Sequence, residues 1–392
     1  MGTRIMHVDL DAFFVEVCRR HYPELRDVDL LIVGGRRASR GVVQSASYGA
    51  RQFGVRSGMP IAQAARLCPG ATFFQGSFPL YRQASREVRA VLERFSPVVA
   101  MASLDEAYLD FSGTEGLYPA SLLPVAEAVR DAVKAGSGLD CSVGIGPNRM
   151  VAKLASDYAK PRGLMEVRAG WEAGFLAGLP LEALPGIGPR TAQRYARLGL
   201  TDVVQIQRMT REELEALVGE EAKLLKLRAN GHGGTVLRPA AHARSISRET
   251  TLSRDLHDRA ELERILGVLV ARVAAQLRDE QLSARRVTLK LRHGDFKTVT
   301  RQVTLPAPSD LDQEIREAAR ALLRAEWPHV ERRGKGVRLI GVAAGQLDDA
   351  VEPDLFEPPE RQRLRNLARA LDRVRGKFGF DAVRAAEQVK KR

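Results

Sequence analysis

"RIMHVDLDAFFVEVCRRH", residues 4–21, changes its hydrophobic period in the middle. Residues 4–9 alternate like a half-buried strand, and the residues from Ala12 onward have helical apolar spacing. Asp9 therefore falls near a strand end. A second acid, Asp11, and two bulky rings, Phe13 and Phe14, follow at once.

Outward from this stretch, "DLLIVGG" reads as a buried strand stopped by glycines, and "GVVQSASYGARQFGV" as a strand running into a helix. Pro60 opens a short helix closed by Pro69 and Gly70. Residues 79–95 form a long amphipathic helix. "VVAMASLDEAYLDF", residues 98–111, reads as two strands meeting around Leu104 to Glu106. A helix over 122–135, the strand "DCSVGIG" and the helix "NRMVAKLASDYA", capped by Asn148, complete the first part. This mixed order predicts an α+β layer, an antiparallel sheet with helices on one face. Residues 161–170 mark a boundary and 171–235 a helical module. "GHGGTVLRPAAHARS", which lacks any apolar period, is the linker candidate. Residues 243–347 predict a second small α+β domain, and 348–392 a tail with a basic helix.

The 392 residues can hold two to four domains. Lys and Arg number 61 against 48 Asp and Glu, a net charge of +13 that favours a polyanionic partner over a small neutral ligand. An ordinary enzyme from an arginine-biased genome is the competing explanation. Cys18, Cys68 and Cys141 lie far apart without paired spacing, which excludes a disulfide framework or zinc ribbon and points to a reducing cytoplasm. No stretch has the length and apolarity of a signal peptide or membrane span, so no membrane association is expected.

The chemistry follows if Asp9 and the "SLDEAYLD" hairpin converge on one sheet edge. Asp9, Asp105 and Glu106 would then crowd three carboxylates together, which resist joint ionisation unless divalent cations neutralise them. Oxygen-only ligation without nearby His or Cys points to Mg2+ rather than zinc. Two such ions clamp a triphosphate and activate a hydroxyl. Acidic pairs at turns are also commonly just solvated, and spacing by itself leaves both readings open.

"PGIGPRTAQRYARLG", residues 185–199, reads as a helix-hairpin-helix, in which Gly186, Ile187, Gly188 and Arg190 present backbone N–H groups and a helix N-terminus to a phosphate. A glycine-rich turn between packed helices is the alternative. Arg285, Arg286, Lys290, Arg292, Lys297 and Arg301 stand against Asp295 alone. Alternate positions on paired strands share a face, so part of this set is placed to track a nucleic-acid backbone, or else forms a solvated sheet face.

"HVDLDAFF", "ASYGARQFGVRSGMP", "SLDEAYLDFSG", "SVGIGPNRMVAKLASDYAKPRG" and "LPGIGPRTAQRYARLG", in that order and spacing, resemble the Y-family translesion DNA polymerases, in their DNA polymerase IV branch. The resemblance covers about residues 4–347. It implies an α+β right-hand polymerase with a ferredoxin-like palm (1–12 and 78–168), small fingers (13–77), a helical thumb (169–235), a linker (236–242), an α+β little finger (243–347) and a C-terminal tail (348–392). It also implies template-directed, error-prone addition of dNTPs to a primer 3′-OH in DNA damage tolerance, by a cytoplasmic monomer.

By this resemblance Asp9, Asp105 and Glu106 hold two Mg2+ ions with the Leu10 carbonyl, and Phe14 is the steric gate against ribonucleotides. Phe13, Ser45, Tyr48, Arg51 and Lys160 contact the nucleotide, Phe13 from beneath the sugar or from within the core. Gln44 stands where relatives carry a smaller residue. The little-finger cations contact primer-template DNA. "EPDLF", residues 352–356, sits where relatives carry a sliding-clamp peptide, with Leu355 and Phe356 as candidate anchors. Glu352 and Pro353 depart from that pattern, and docking of the two apolar residues on their own protein is the alternative. A polymerase-like scaffold without catalysis and a nucleotide cyclase are the competing functions; three retained carboxylates oppose the first and the duplex-gripping segments the second.

Overall fold

β1 (Ile5–Leu10) is buried at all six positions. The computed structural model describes residues 3–237, 244–349 and 358–383. The chain divides into two compact units at residue 240.

From β1 the first unit runs through α1 (Phe13–His21), β2 (Leu31–Val33), β3 (Ser45–Ala46), α2 (Tyr48–Gln52), α3 (Ile61–Leu67), β4 (Thr72–Phe74) and α4 (Phe78–Leu92). It continues through β5 (Val99–Met101), β6 (Glu106–Asp110), α5 (Leu123–Ser137), β7 (Cys141–Gly146), α6 (Arg149–Ala159) and β8 (Leu164–Glu166). The helices α7 (Glu172–Ala177), α8 (Pro189–Arg197), α9 (Val203–Arg208), α10 (Arg211–Val218) and α11 (Glu221–Ala229) follow.

The main sheet has the order β5-β6-β1-β7-β8. β1 pairs antiparallel with β6 and with β7, and only β7 and β8 run parallel. Met6, Val8 and Leu10 share a core with Phe13, Tyr81, Leu92 and Val129 from α1, α4 and α5. Ile5, His7 and Asp9 take the other face of the pleat, where Ile5 packs with Ala152 and His7 meets Ser156, both on α6.

The expectation of a half-buried strand, with helices on one face of the sheet, is corrected here. His7 and Asp9 read as solvent-facing because they are polar, but α6 covers them and supplies their partners, as buried polar groups require. Gly144 and Gly146 of β7 permit this close approach. A Cβ on Gly144 would stand 2.1 Å from the Ala152 carbonyl oxygen and 2.2 Å from the Ser156 nitrogen. Asn148 caps α6 as expected, accepting from the Val151 N–H at 3.0 Å and donating to the Gly231 carbonyl at 2.7 Å.

A small sheet, β3-β2-β4, forms a separate core with α2 and α3 around Ile32, Val43, Ala50 and Ala64. Helices α7 to α11 gather around Leu176, Ile187, Tyr195, Val203, Ile206 and Leu214, with Leu154 of α6 joining them.

The second unit comprises β9 (Ser245–Leu256), α12 (Arg259–Asp279), β10 (Leu282–His293), β11 (Thr298–Ser309), α13 (Asp312–Arg333), β12 (Val337–Asp349) and α14 (Pro359–Phe378). Its sheet, β11-β10-β12-β9, is antiparallel throughout. Val287, Leu289 and Leu291 of β10 share the core with Leu266, Val270 and Val273 of α12 and with Leu323 and Trp327 of α13. The three cysteines are buried and unpaired, as their spacing predicts. Among the described residues no helix is long and apolar enough to cross a membrane.

Candidate active site

Strand register brings the acidic residues together. Asp9 on β1 stands opposite Glu106 on β6, and the Leu10 N–H donates to the Asp105 carbonyl at 2.9 Å. Two stretches almost a hundred residues apart thus deliver Asp9, Asp105 and Glu106 to one end of the sheet. Ser103 holds the hairpin turn, its hydroxyl bonded to the Asp105 carboxylate and accepting from the Glu106 N–H at 3.1 Å.

The carboxylates are balanced by lysines of α6 and its C-cap. Lys160 Nζ lies 2.7 Å from Asp9 Oδ2 and 2.8 Å from Asp157 Oδ1, and Lys153 Nζ lies 2.6 Å from Glu106 Oε1. Burial pushes the Asp9 carboxyl up to about 7; Lys160 opposes the rise, while Glu106 and Asp157 add to it. Glu106 is held down at about 2, by the His7 ring first and by Lys153. His7 itself is fully buried and its pKa is lowered by that burial. Its Nε2 is 3.8 Å from Glu106 Oε2, beyond hydrogen-bond length, and Nδ1 is 2.7 Å from the Ser156 hydroxyl.

Among the described residues no three His, Cys, Asp or Glu side chains already converge as a metal cage. The donor chemistry nevertheless fits a hard cation: the acidic groups offer oxygen only, and Asp9, 5% exposed, is a carboxylate whose burial calls for a positive neighbour. Lys160 fills that role here, so a cation at Asp9 requires Lys160 to turn away.

Lys160 is the residue the resemblance assigns to the triphosphate, and the other assigned contacts are also engaged within the protein. The Tyr48 hydroxyl donates to Asp11 Oδ1 at 3.0 Å. Arg51 donates through Nε to the Ala46 carbonyl at 2.9 Å and lies 4.9 Å over the Tyr48 ring. Ser45 is buried on β3 opposite Val33, and Gln44 beside it is half-buried.

Ala12 turns the strand into α1 in the left-handed region, φ 46° and ψ 37°, a conformation uncommon for a residue with a Cβ. The turn separates the two rings. Phe13 is 2% exposed within the core, so its ring presents no surface to a nucleotide and lies behind Phe14 at 5.2 Å. Phe14 is half-buried and meets Tyr81 edge-on at 4.7 Å.

Residues without an assigned role in the sequence join the site. Asp11, 4% exposed, accepts from Tyr48, from the Ser142 hydroxyl at 3.1 and 3.2 Å, and from the Arg162 N–H at 2.9 Å. His7, Lys153 and Asp157 complete the charge pattern. The available signal was the α6 spacing, since Arg149, Lys153, Ser156 and Lys160 recur at helical intervals.

Elsewhere in the first unit, Gly186 has φ +88°, and a Cβ there would meet Arg228 Nη1 at 2.6 Å. Arg228 is anchored by donating to the Pro185 carbonyl at 2.6 Å. Gly188 precedes α8, Pro189 opens it, Ile187 is buried in the helical core, and Arg190 is exposed.

In the second unit the basic set divides. Arg286, Lys290 and Arg292 alternate with buried Val287, Leu289 and Leu291, so they share the face away from α12 and α13. Lys290 reaches Glu249 of β9 at 2.7 Å, and Arg292 donates to Thr298 Oγ1 at 2.9 Å. Arg301 does not join them. It pairs in register with Leu289 and turns to the helix side, 2.8 Å from the buried Glu326 of α13. Arg285 sits at a register shift, 3.6 Å from Asp348, and Lys297 lies exposed in the β10–β11 turn. Leu355 and Phe356 lie outside the described residues.

The impB/mucB/samB family model matches residues 8–157, and the model of that family's C-terminal domain matches residues 243–355. A DNA polymerase IV of Dehalococcoides mccartyi is 39% identical over 380 residues, covering 97% of this chain and 96% of its own length. A DNA polymerase IV of Caulobacter vibrioides is 38% identical, covering 100% and 96%. A solved Y-family DNA polymerase chimera of Dbh and Dpo4 is similar with a TM-score of 0.76 at 25% identity, over 88% of this chain and 98% of its own.

Proposed function

Because the chain belongs to the impB/mucB/samB family of Y-family polymerases and is a translesion DNA polymerase of the DNA polymerase IV type, we propose that Asp9, Asp105 and Glu106 form its catalytic centre. The pairing of Asp9 with Glu106, together with the Leu10 to Asp105 backbone bond, carries this reading. Members of the family are nucleotidyltransferases that generally use divalent cations. The three carboxylates and the Leu10 carbonyl would hold two Mg2+ ions. When bound, such ions lower the pKa of the primer 3′-OH and neutralise charge on departing pyrophosphate.

The protein's own groups prepare that site. Lys160 opposes the burial that raises the Asp9 carboxyl, Lys153 helps hold Glu106 ionised, and the two ion pairs order both carboxylates before substrate arrives. On nucleotide binding Lys160 transfers from Asp9 to the triphosphate, where Arg51 and the Tyr48 hydroxyl join it. Ser45 contributes from β3. Phe14, backed by Tyr81 and Phe13, is the steric gate at the 2′ position of the sugar.

In this reading residues 1–12 and 78–168 are the palm, 13–77 the fingers, 169–235 the thumb and 243–347 the little finger. Primer-template DNA is gripped through Gly186, Ile187, Gly188 and Arg190 and through the open sheet face carrying Arg286, Lys290 and Arg292. Action as a cytoplasmic monomer, with a sliding clamp engaged through Leu355 and Phe356, belongs to the same reading.

Primer extension with Mg2+ and dNTPs tests it. Asp105→Ala and Glu106→Ala should each lower the rate by at least about 10²-fold, the scale of losing one preorganised electrostatic element, while duplex affinity is kept. Wild-type rates in either variant would remove the metal assignment.

A further inference from the structure

Helix α14 lies beyond both family-matched segments, the second of which ends at residue 355, and it has two faces of opposite character. The inward face is ionic. Arg361 lies 3.0 Å from Glu314 on α13, and Asp372 accepts from Arg278 of α12 at 2.6 and 3.0 Å. Arg365 and Arg375 are each only 7% exposed. After the helix, the Phe380 ring sits against the guanidinium groups of Arg375 at 4.4 Å and Arg272 at 5.1 Å, fastening that end.

The face beside it is apolar and partly exposed. Leu364, Leu367, Leu371, Val374 and Phe378 follow one another in steps of three, four, three and four, the spacing of a helix–helix seam. Leu367 is 56% exposed, Val374 36% and Phe378 66%, Leu364 and Leu371 are half-buried along the stripe's inner edge, and none of the five belongs to the core of the second unit. An amphipathic helix ordinarily buries such a stripe and exposes its charges. In α14 the charges hold the helix to the protein and leave Leu367, Val374 and Phe378 open to solvent.

At about 100° per residue, Arg363 and Lys377 border this stripe on its solvent side, with Arg373 and Arg369 beyond them. Arg363, Arg369 and Arg373 make no ion pair with any described residue. We propose that the stripe docks an acidic amphipathic helix of a partner protein, with apolar residues at seam spacing and Asp or Glu along the flank that meets these cations. A second copy of α14 would set Arg363 and Lys377 against like charges, which disfavours self-pairing. Nucleic acid would use the cations but leave the leucines in water. None of these residues belongs to the polymerase site proposed above.

The test uses the full chain and two fluorescent 21-residue peptides, both with leucine at seam positions, one flanked by glutamate and the other by lysine. The glutamate peptide should bind at least tenfold more tightly than the lysine peptide. Leu367→Ser and Phe378→Ser should each weaken it at least tenfold, and the Arg363→Glu, Lys377→Glu double variant should weaken it while strengthening the lysine peptide. These side chains are exposed, and unchanged primer extension by the variants verifies folding. Binding of neither peptide, or equal binding of both, overturns the proposal. So does self-association in sedimentation that Leu367→Ser abolishes, which assigns the stripe to a second copy, and so does a loss of duplex-DNA affinity matching the loss of peptide affinity.

Discussion

Asp11 is where one side chain links three parts of the first unit. It accepts from Tyr48 on α2, Ser142 on β7 and the backbone of Arg162 after α6, at 2.9 to 3.2 Å. A phenol has a single proton to donate, so Tyr48 serves Asp11 or a phosphate oxygen, but not both fully. In the proposed reading, Asp11 and the nucleotide compete for that proton. Asp11→Asn should lower the KM for dNTP several-fold with little change in kcat, because it weakens the competing acceptor and removes a negative charge. In a double-mutant cycle with Tyr48→Phe the two changes should couple by about 1 kcal/mol or more, the scale of a hydrogen bond to a charged group. Additivity within about 0.4 kcal/mol would separate the two residues. At Phe14 the effect is steric. The ring is held edge-on by Tyr81 above a fully packed Phe13, so Phe14→Ala should open space for a 2′-OH and admit rNTPs; single-nucleotide incorporation with unchanged sugar selection would remove the gate role. An apolar pocket that merely tolerates a hydroxyl discriminates only about 10²-fold, which is why rigid backing matters.

Among elements, α8 and the turn before it carry the most directly testable geometry. Gly186 adopts φ +88° and faces Arg228 so closely that a Cβ would meet the guanidinium at 2.6 Å. Gly186→Ala should displace the turn amides and raise the Kd for duplex DNA about tenfold, equivalent to ~1.4 kcal/mol, with a shallower salt slope as one phosphate contact is lost. An unaltered Kd beside a lowered Tm would make the glycine purely structural. The same scale shows how far a sequence pattern reads. The strand, the acidic hairpin and the Asn148 cap were legible because each signal lies within a few consecutive residues. The second covered face of β1 was not. The polar positions His7 and Asp9 have the same pattern whether they face water or a helix that supplies Ser156 and Lys160. Arg301 shows the same limit, since its side is decided by pairing with Leu289, and no run of residues around it reports that register.

Across the whole molecule, a net charge of +13 raises the local concentration of any polyanion, but this surplus does not act as one surface. Many arginines are committed to internal pairs, among them Arg278 with Asp312 and Asp372 and Arg301 with Glu326. Composition therefore predicts the class of partner but not which cations meet it. The amino-acid order by itself determined the α+β class, the succession of motifs and the identity of the acidic residues, because periodicity, caps and turn residues act over a few bonds. Tertiary structure alone decided that Lys160, 151 residues beyond Asp9, neutralises it, that Asp11 gathers three donors, and that α14 leaves Leu367, Val374 and Phe378 exposed. Those outcomes depend on which faces lose water when distant segments pack, and on the need of each buried charge for a partner, neither of which is written in any local pattern.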